Sequence, residues 1–310
     1  MRRRRSGWSR RRFLRCSALG AGLATFAPHS RPGRTATIRT RPIPSTGERI
    51  PIVGLGTYRS FDIAPGAGRS DQREVLRRFF ATGARVVDSS PMYGESERVV
   101  GELAADLGIA DELFMATKVW TRGRASGIRQ MARSEALLRT DRIDLMQVHN
   151  LVDLRTQLAT LREWKAEGRI RYVGITHYTS SMHDTLAELV ESEPLDFVQF
   201  NYNVADRHAE RRLLPAARER GVAALVNEPF ETGALFGRLR GKTLPDWVRP
   251  LGVETWAQFL LKFILAEPAV TCAIPATSDP EHVVDNTQAA FGPLPERRQR
   301  DRMAAWIART

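Results

Sequence analysis

The chain has 310 residues, 42% of them hydrophobic and 26% charged, two cysteines and a net charge of +12. That length suits one large domain with an ample core, and so few cysteines exclude a disulfide-stapled scaffold. The charge invites a nucleic-acid or membrane-surface reading. However, eight arginines and no acid fall within residues 1–27, leaving +4 for the rest, a surplus that argues against a nucleic-acid partner.

Residues 1–27 read as a targeting segment rather than as fold. Ser9-Arg10-Arg11-Arg12-Phe13-Leu14-Arg15 resembles a twin-arginine export signal, and the mildly apolar stretch from Cys16 to Ala27 is too short to span a bilayer. The signal implies the twin-arginine export machinery as a partner and a periplasmic or extracellular destination, with no stable membrane insertion after processing. Removal of the signal leaves Cys272 as the lone cysteine, so no intramolecular disulfide can form. Residues 28–38, rich in Pro, Arg and Thr, read as a linker, and 39–310 as one domain.

Residues 39–52 give two short extended pieces around Ser45-Thr46-Gly47-Glu48, a hairpin signal. Apolar runs then predict strands at 52–57, 85–90, 113–119, 143–149, 171–176, 196–201, 222–228 and 271–276. Helical spacing, such as Leu158, Leu161 and Trp164, predicts helices near 71–82, 97–107, 126–139, 155–168, 181–192, 208–220, 255–267 and 280–289, with one more within 295–309. Eight strands, each followed by a helix, argue an α/β fold, a (β/α)₈ TIM barrel. The longest connection, 230–252, contains Gly233, Gly237 and Gly241 beside Arg238, Arg240 and Lys242. Loops of that length in compact domains are commonly functional.

Asp88, Tyr93, Lys118 and His149 sit in VVDSSPMYGESE, ATKVW and LMQVHN, at or just past the ends of successive apolar runs. In a parallel barrel they gather at the C-terminal mouth, where such barrels keep their chemistry. The order and approximate spacing of these four residues resemble the Asp-Tyr-Lys-His tetrad of the aldo-keto reductase family, whose members deliver hydride to a carbonyl carbon and a proton to its oxygen. A tyrosine, titrating at about pH 10, needs electrostatic help to shuttle that proton. An ammonium beside the phenol favours phenolate, and a carboxylate behind the lysine holds the ammonium in place. The resemblance implies Tyr93 as the acid, Lys118 as its modulator, Asp88 as the anchor of Lys118, and His149 as the donor that orients the substrate oxygen.

The resemblance to the aldo-keto reductase family extends over roughly residue 39 to the end of the chain. The resemblance implies reduction of an aldehyde or ketone with NADP or NAD as cofactor. It also implies an N-terminal β-hairpin that closes the barrel bottom and a 230–252 flap that folds over the cofactor pyrophosphate. Further segments match by position. Gly56 and Thr57 end the first strand in the family's cofactor-facing segment. Thr176 and His177 stand where relatives place Ser-Asn, and Gln199 matches a carboxamide-binding Gln. Asn227, before Glu228, Pro229 and Phe230, replaces an aromatic that stacks on nicotinamide in many relatives. Ala276 and His282 stand where NADPH-selective relatives carry Lys and Arg, leaving Thr277, Ser278 and His282 as the polar groups for a 2′-phosphate. Asp285-Asn286 resembles an acid-Asn pair that binds adenine. These departures make NADH use plausible.

Tyr58 and Trp120 are candidate walls of the substrate pocket, suited to an apolar or sugar-like face. The six histidines are scattered and suggest no metal site. An alternative reading is a cofactor-binding regulatory subunit resembling potassium-channel beta subunits, which keep similar tetrads. A barrel hydrolase without redox chemistry is a third reading, and it predicts no nucleotide binding.

Overall fold

The computed structural model describes residues 37–310. The export signal and residues 28–36 of the expected linker lie outside the described residues. A short hairpin, β1 (Thr40–Pro42) and β2 (Arg49–Pro51), leads into β3 (Leu55–Gly56). The alternation then runs α1 (Ser70–Ala81), β4 (Val86–Asp88), α2 (Ser96–Leu107), β5 (Phe114–Val119), α3 (Arg124–Leu138), β6 (Ile143–His149) and α4 (Leu154–Ala166). It continues through β7 (Ile170–Thr176), α5 (His183–Ser192), β8 (Phe197–Asn201), α6 (Leu213–Arg220), β9 (Ala223–Asn227), α7 (Ala234–Leu239), α8 (Trp256–Leu265), β10 (Val270–Ala273), α9 (Pro280–Gln288) and α10 (Arg297–Ala308). Strands β3 to β10 lie in sequence order in one parallel sheet. Bridges Val53–Ala273 and Gly56–Ala276 join its first and last strands, closing the expected barrel.

Side chains on a strand alternate between two faces, and the sequence divides accordingly. Val86, Phe114, Ala116, Leu145, Tyr172, Phe197, Leu225, Cys272 and Ile274 form one buried cluster inside the barrel. Their neighbours Val87, Met115, Met146, Val173 and Val198 belong to the outer cluster, packed with helical Leu76, Leu103, Leu161 and Leu186. The same period of two carries Asp88, Lys118, Gln147, His149, Thr176, Gln199 and Asn227 onto the inner face near the C-terminal strand ends. Register aligns them: Lys118 stands opposite Gln147, His149 opposite Thr176, and Thr176 opposite Gln199.

The hairpin plugs the opposite end. Ile43 and Ile50 join the interior cluster, and Tyr172 donates to Glu48 Oε2 at 2.5 Å. Glu48 also pairs with Arg171, which reaches Asp144 at 2.7 Å. Arg41 ties the hairpin to the end of α8 by donating to the carbonyls of Leu265, Glu267 and Val270. The seam between β3 and β10 is tight. A Cβ at Gly54 would lie 2.8 Å from Val86 O and 3.0 Å from Ile274 Cγ2, and one at Gly56 would lie 2.8 Å from Ile274 O. Both positions therefore require glycine.

Three expectations change in detail. The connection after β9 is not an open loop: Glu231–Gly233 forms a 3₁₀ turn, α7 follows, and Asp246–Leu251 forms another 3₁₀ turn. Leu235, Leu239, Val248 and Leu251 bury there and supply the reason. Gly237 lies inside α7, whereas Gly233 and Gly241 take positive φ. The helix expected at 208–220 is broken into a 3₁₀ turn at His208–Glu210 and α6. The last strand is short because its register shifts between Val270 and Cys272 and because Pro275 has no N–H to give the ladder. Among the described residues no helix is long and apolar enough to cross a membrane.

Candidate active site

Ser90-Pro91-Met92-Tyr93 follows β4 as a tight turn, with the Tyr93 N–H donating to Ser90 O at 3.0 Å. Proline presets the first central position of such a turn. Gly94 next takes φ 59, and any Cβ there would overlap the Asp62 carboxylate. The turn brings Tyr93 back over the barrel mouth. Its ring centroid lies 4.9 Å from Lys118 Nζ, and it meets His149 edge-on at 5.9 Å.

Beneath Tyr93 the polar groups are fully engaged. Lys118 is completely buried, with Nζ 2.6 Å from Asp88 Oδ2 and 2.7 Å from Ser89 O. Asp88 Oδ1 accepts from Gln199 Nε2 at 2.9 Å and from Gln147 Nε2 at 3.1 Å. The Lys118 ammonium is pulled down by burial, but Asp88 and Tyr93 together outweigh that and hold its pKa above the ordinary value. Burial pushes the Tyr93 phenol up; Lys118 opposes the push without overcoming it, and Asp88 adds to it. The expected lowering by Lys118 is thus present but is the smaller of the two effects. Burial, then the charges of Lys118 and His177, lower His149 to about 2, so its imidazole is neutral at physiological pH.

A cavity of about 770 Å³ opens above these groups. Asp88, Tyr93 and His149 line it, with Lys118 directly behind. Gly56, Thr57, Thr176, Gln199, Asn227, Pro229 and Phe230 also line it, as do Tyr58 and Trp120. His177, Thr277, Ser278, His282, Asp285 and Asn286 do not. His177 Nδ1 faces the Tyr178 and Thr179 N–H groups at 3.0 and 3.3 Å. The Asp285 carboxylate accepts from Thr255 Oγ1 at 2.8 Å and Gln258 Nε2 at 2.6 Å, and Asn286 is buried. His282 Nδ1 lies 3.9 Å from Asp279. Arg238, Arg240 and Lys242 are also absent from the lining; Arg238 reaches Ile307 O instead.

Sequence reasoning missed Gln147, Ser90 and Asn150. Gln147 was hidden as strand filler and Ser90 as a turn residue, although alternation from His149 would have found Gln147. Asn150 and Asn227 line the cavity with side-chain oxygens that are buried and unpartnered. An orphaned buried acceptor is costly and calls for a donor. Gln199 differs: its Oε1 accepts from Thr176 Oγ1 at 3.2 Å and Asn227 Nδ2 at 3.3 Å, so its capacity is spent within the protein. Asn150 and Glu228, both at the cavity, hold positive φ of 51 and 48, a conformation that non-glycine residues seldom adopt.

Among the described residues, the large apolar side chains that stand exposed are Tyr58, Met92, Trp120, Tyr178 and Phe236, and all five line this cavity. Tyr58 lies 5.0 Å from Tyr93, and Trp120 lies 6.4 Å from His149, between ring centroids.

The family model described as Aldo/keto reductase family matches residues 52–302. The chain is 28% identical over 213 residues to the aldo-keto reductase YhdN of Bacillus subtilis (strain 168), covering 64% of this chain and 63% of that one. It is 27% identical over 254 residues to an NADH-specific methylglyoxal reductase of Escherichia coli (strain K12), covering 72% and 77%. Among solved structures, an aldo-keto reductase from Klebsiella pneumoniae in complex with NADPH superposes with a TM-score of 0.72 at 26% identity, covering 87% of this chain and 96% of that one.

Proposed function

Because the chain belongs to the aldo/keto reductase family, we propose that it reduces an aldehyde or ketone to an alcohol with a nicotinamide cofactor, NADP or NAD. The observation that carries this reading is the buried Asp88–Lys118 pair set against Tyr93, with neutral His149 alongside, under one cavity. The orphaned oxygens of Asn227 and Asn150 suit an amide-bearing ligand, whose N–H groups would satisfy them. Gly56, Thr57, Thr176, Asn227, Pro229 and Phe230 are the wall that would hold it. The cofactor, when bound, supplies the hydride.

The protein's own residues manage the proton. Tyr93 stays a phenol at neutral pH, the form that can donate to a developing alkoxide. The Lys118 ammonium, locked by Asp88, stabilises the phenolate left behind. His149, neutral and buried, donates to the substrate oxygen without adding a competing charge. The apolar collar favours a carbonyl carried on an apolar body over a small hydrated one, since apolar area removed from water contributes about 25 cal/mol per Å². The Ser9–Arg15 motif supports twin-arginine export of the enzyme to the periplasm or beyond, and a tagged chain that stays wholly cytoplasmic would refute that part.

Fluorescence titration with NADPH and NADH tests the cofactor. Binding of neither would overturn the reductase reading, and the affinity ratio gives the preference. With cofactor bound, Tyr93→Phe is expected to lower kcat for carbonyl reduction by about 10²–10⁴-fold. Undiminished turnover would remove Tyr93 as the acid.

A further inference from the structure

Ser90 plays no part in the roles assigned so far. We infer that Ser90 is a positioning residue: it fixes His149 as the tautomer protonated on Nε2, so that an N–H rather than a lone pair faces the substrate oxygen. Ser90 is completely buried. Its Oγ accepts from the Met92 N–H at 3.3 Å and lies 3.0 Å from His149 Nδ1.

A hydroxyl has one proton and a neutral imidazole has one N–H, so the two tautomers can be compared bond by bond. With the proton on Nε2, the Ser90 hydroxyl accepts from the Met92 N–H and donates to Nδ1, so the hydroxyl, Nδ1 and the Met92 N–H are all paired. With the proton on Nδ1, the imidazole donates to Ser90 Oγ, and the hydroxyl proton has no acceptor among the described residues. Leaving a buried donor unpaired costs about 1–3 kcal/mol, enough to select the first arrangement. Nε2 makes no hydrogen bond within the described residues and is the ring nitrogen left for the cavity. The edge contact with Tyr93 at 5.9 Å and the tilted packing of Trp120 at 6.4 Å hold the ring plane. Ser90 and Tyr93 occupy the two ends of one turn. The residue that aims the donor and the residue that supplies the proton therefore move as one unit.

The kinetic consequence rests on the reductase reading; the tautomer rests on geometry alone, and the test separates them. In ¹⁵N-histidine-labelled wild-type protein, long-range ¹H–¹⁵N spectra should show Nε2 of His149 protonated and Nδ1 bare at neutral pH, with the signals identified by their loss in His149→Asn. Ser90→Ala should mix the tautomers and lower kcat about tenfold, with nucleotide affinity unmoved. Ser90→Thr, which keeps a hydroxyl, should restore both. Protonation on Nδ1 or an imidazolium in the wild type would overturn the proposal without any variant. So would a Ser90→Ala protein with unchanged tautomer and unchanged kcat. Nε2 protonation in a protein that binds nucleotide but reduces no carbonyl would overturn the aim at a substrate oxygen, together with the reductase reading.

Discussion

His149 is a histidine that does not act as a pH switch. Burial and the nearby Lys118 charge hold it neutral far below the usual imidazole range, and Tyr93 is held above the usual phenol range. Reduction needs the phenol protonated and the imidazole uncharged. Its kcat/KM is therefore expected to be flat between about pH 6 and 9 and to fall only above about pH 10, where phenols titrate. A pH–rate profile with an inflection near the ordinary histidine value would contradict this assignment. At this scale the sequence was partly legible. Asp88, Lys118, Tyr93 and His149 stand out because four chemically complementary types fall at or just past the ends of three successive apolar runs. Ser90, Gln147 and Asn150 carry no such signature, since their importance lies in partners contributed by other strands and turns. The uptake of Gln199 by Asp88, Thr176 and Asn227 was equally hidden.

The elements were more legible than their edges. Apolar runs and helical spacing fix eight strands and their helices, and the barrel closes as expected. The helix in the connection after β9 is not legible in the sequence because its buried Leu235 and Leu239 are interspersed with glycines. The β3 segment looked like an ordinary strand, yet only two of its residues join the ladder, and its glycines are needed for close approach to β4 and β10. Gly54→Ala is accordingly expected to destabilise the fold by about 1–3 kcal/mol, the usual cost of overpacking, read as a lower urea midpoint with an unchanged slope. An alanine variant as stable as the parent would show that the packing around Gly54 gives way more easily than its 2.8 Å clearance to Val86 O suggests.

The molecule as a whole keeps stability and chemistry at opposite ends of one barrel. Ile43, buried at the hairpin plug, packs in the interior cluster and does not line the cavity that holds Tyr93 and His149. Ile43→Ala should cost about 2–5 kcal/mol in urea unfolding while leaving kcat/KM for carbonyl reduction unchanged. A large loss of activity at full stability would mean the two ends are coupled. The β3–β10 seam gives one coupling that does not run through the plug. Gly56 and Ala276, its upper pair, are also cavity walls. These are the positions where the first and last strands meet, so they can close only after nearly the whole barrel sequence has been laid down, and loop-closure entropy makes such long-range pairing late. A ligand resting on both strands would act as a clasp on that ring, slowing its reopening, so that the loaded barrel stays fastened where the empty one can part.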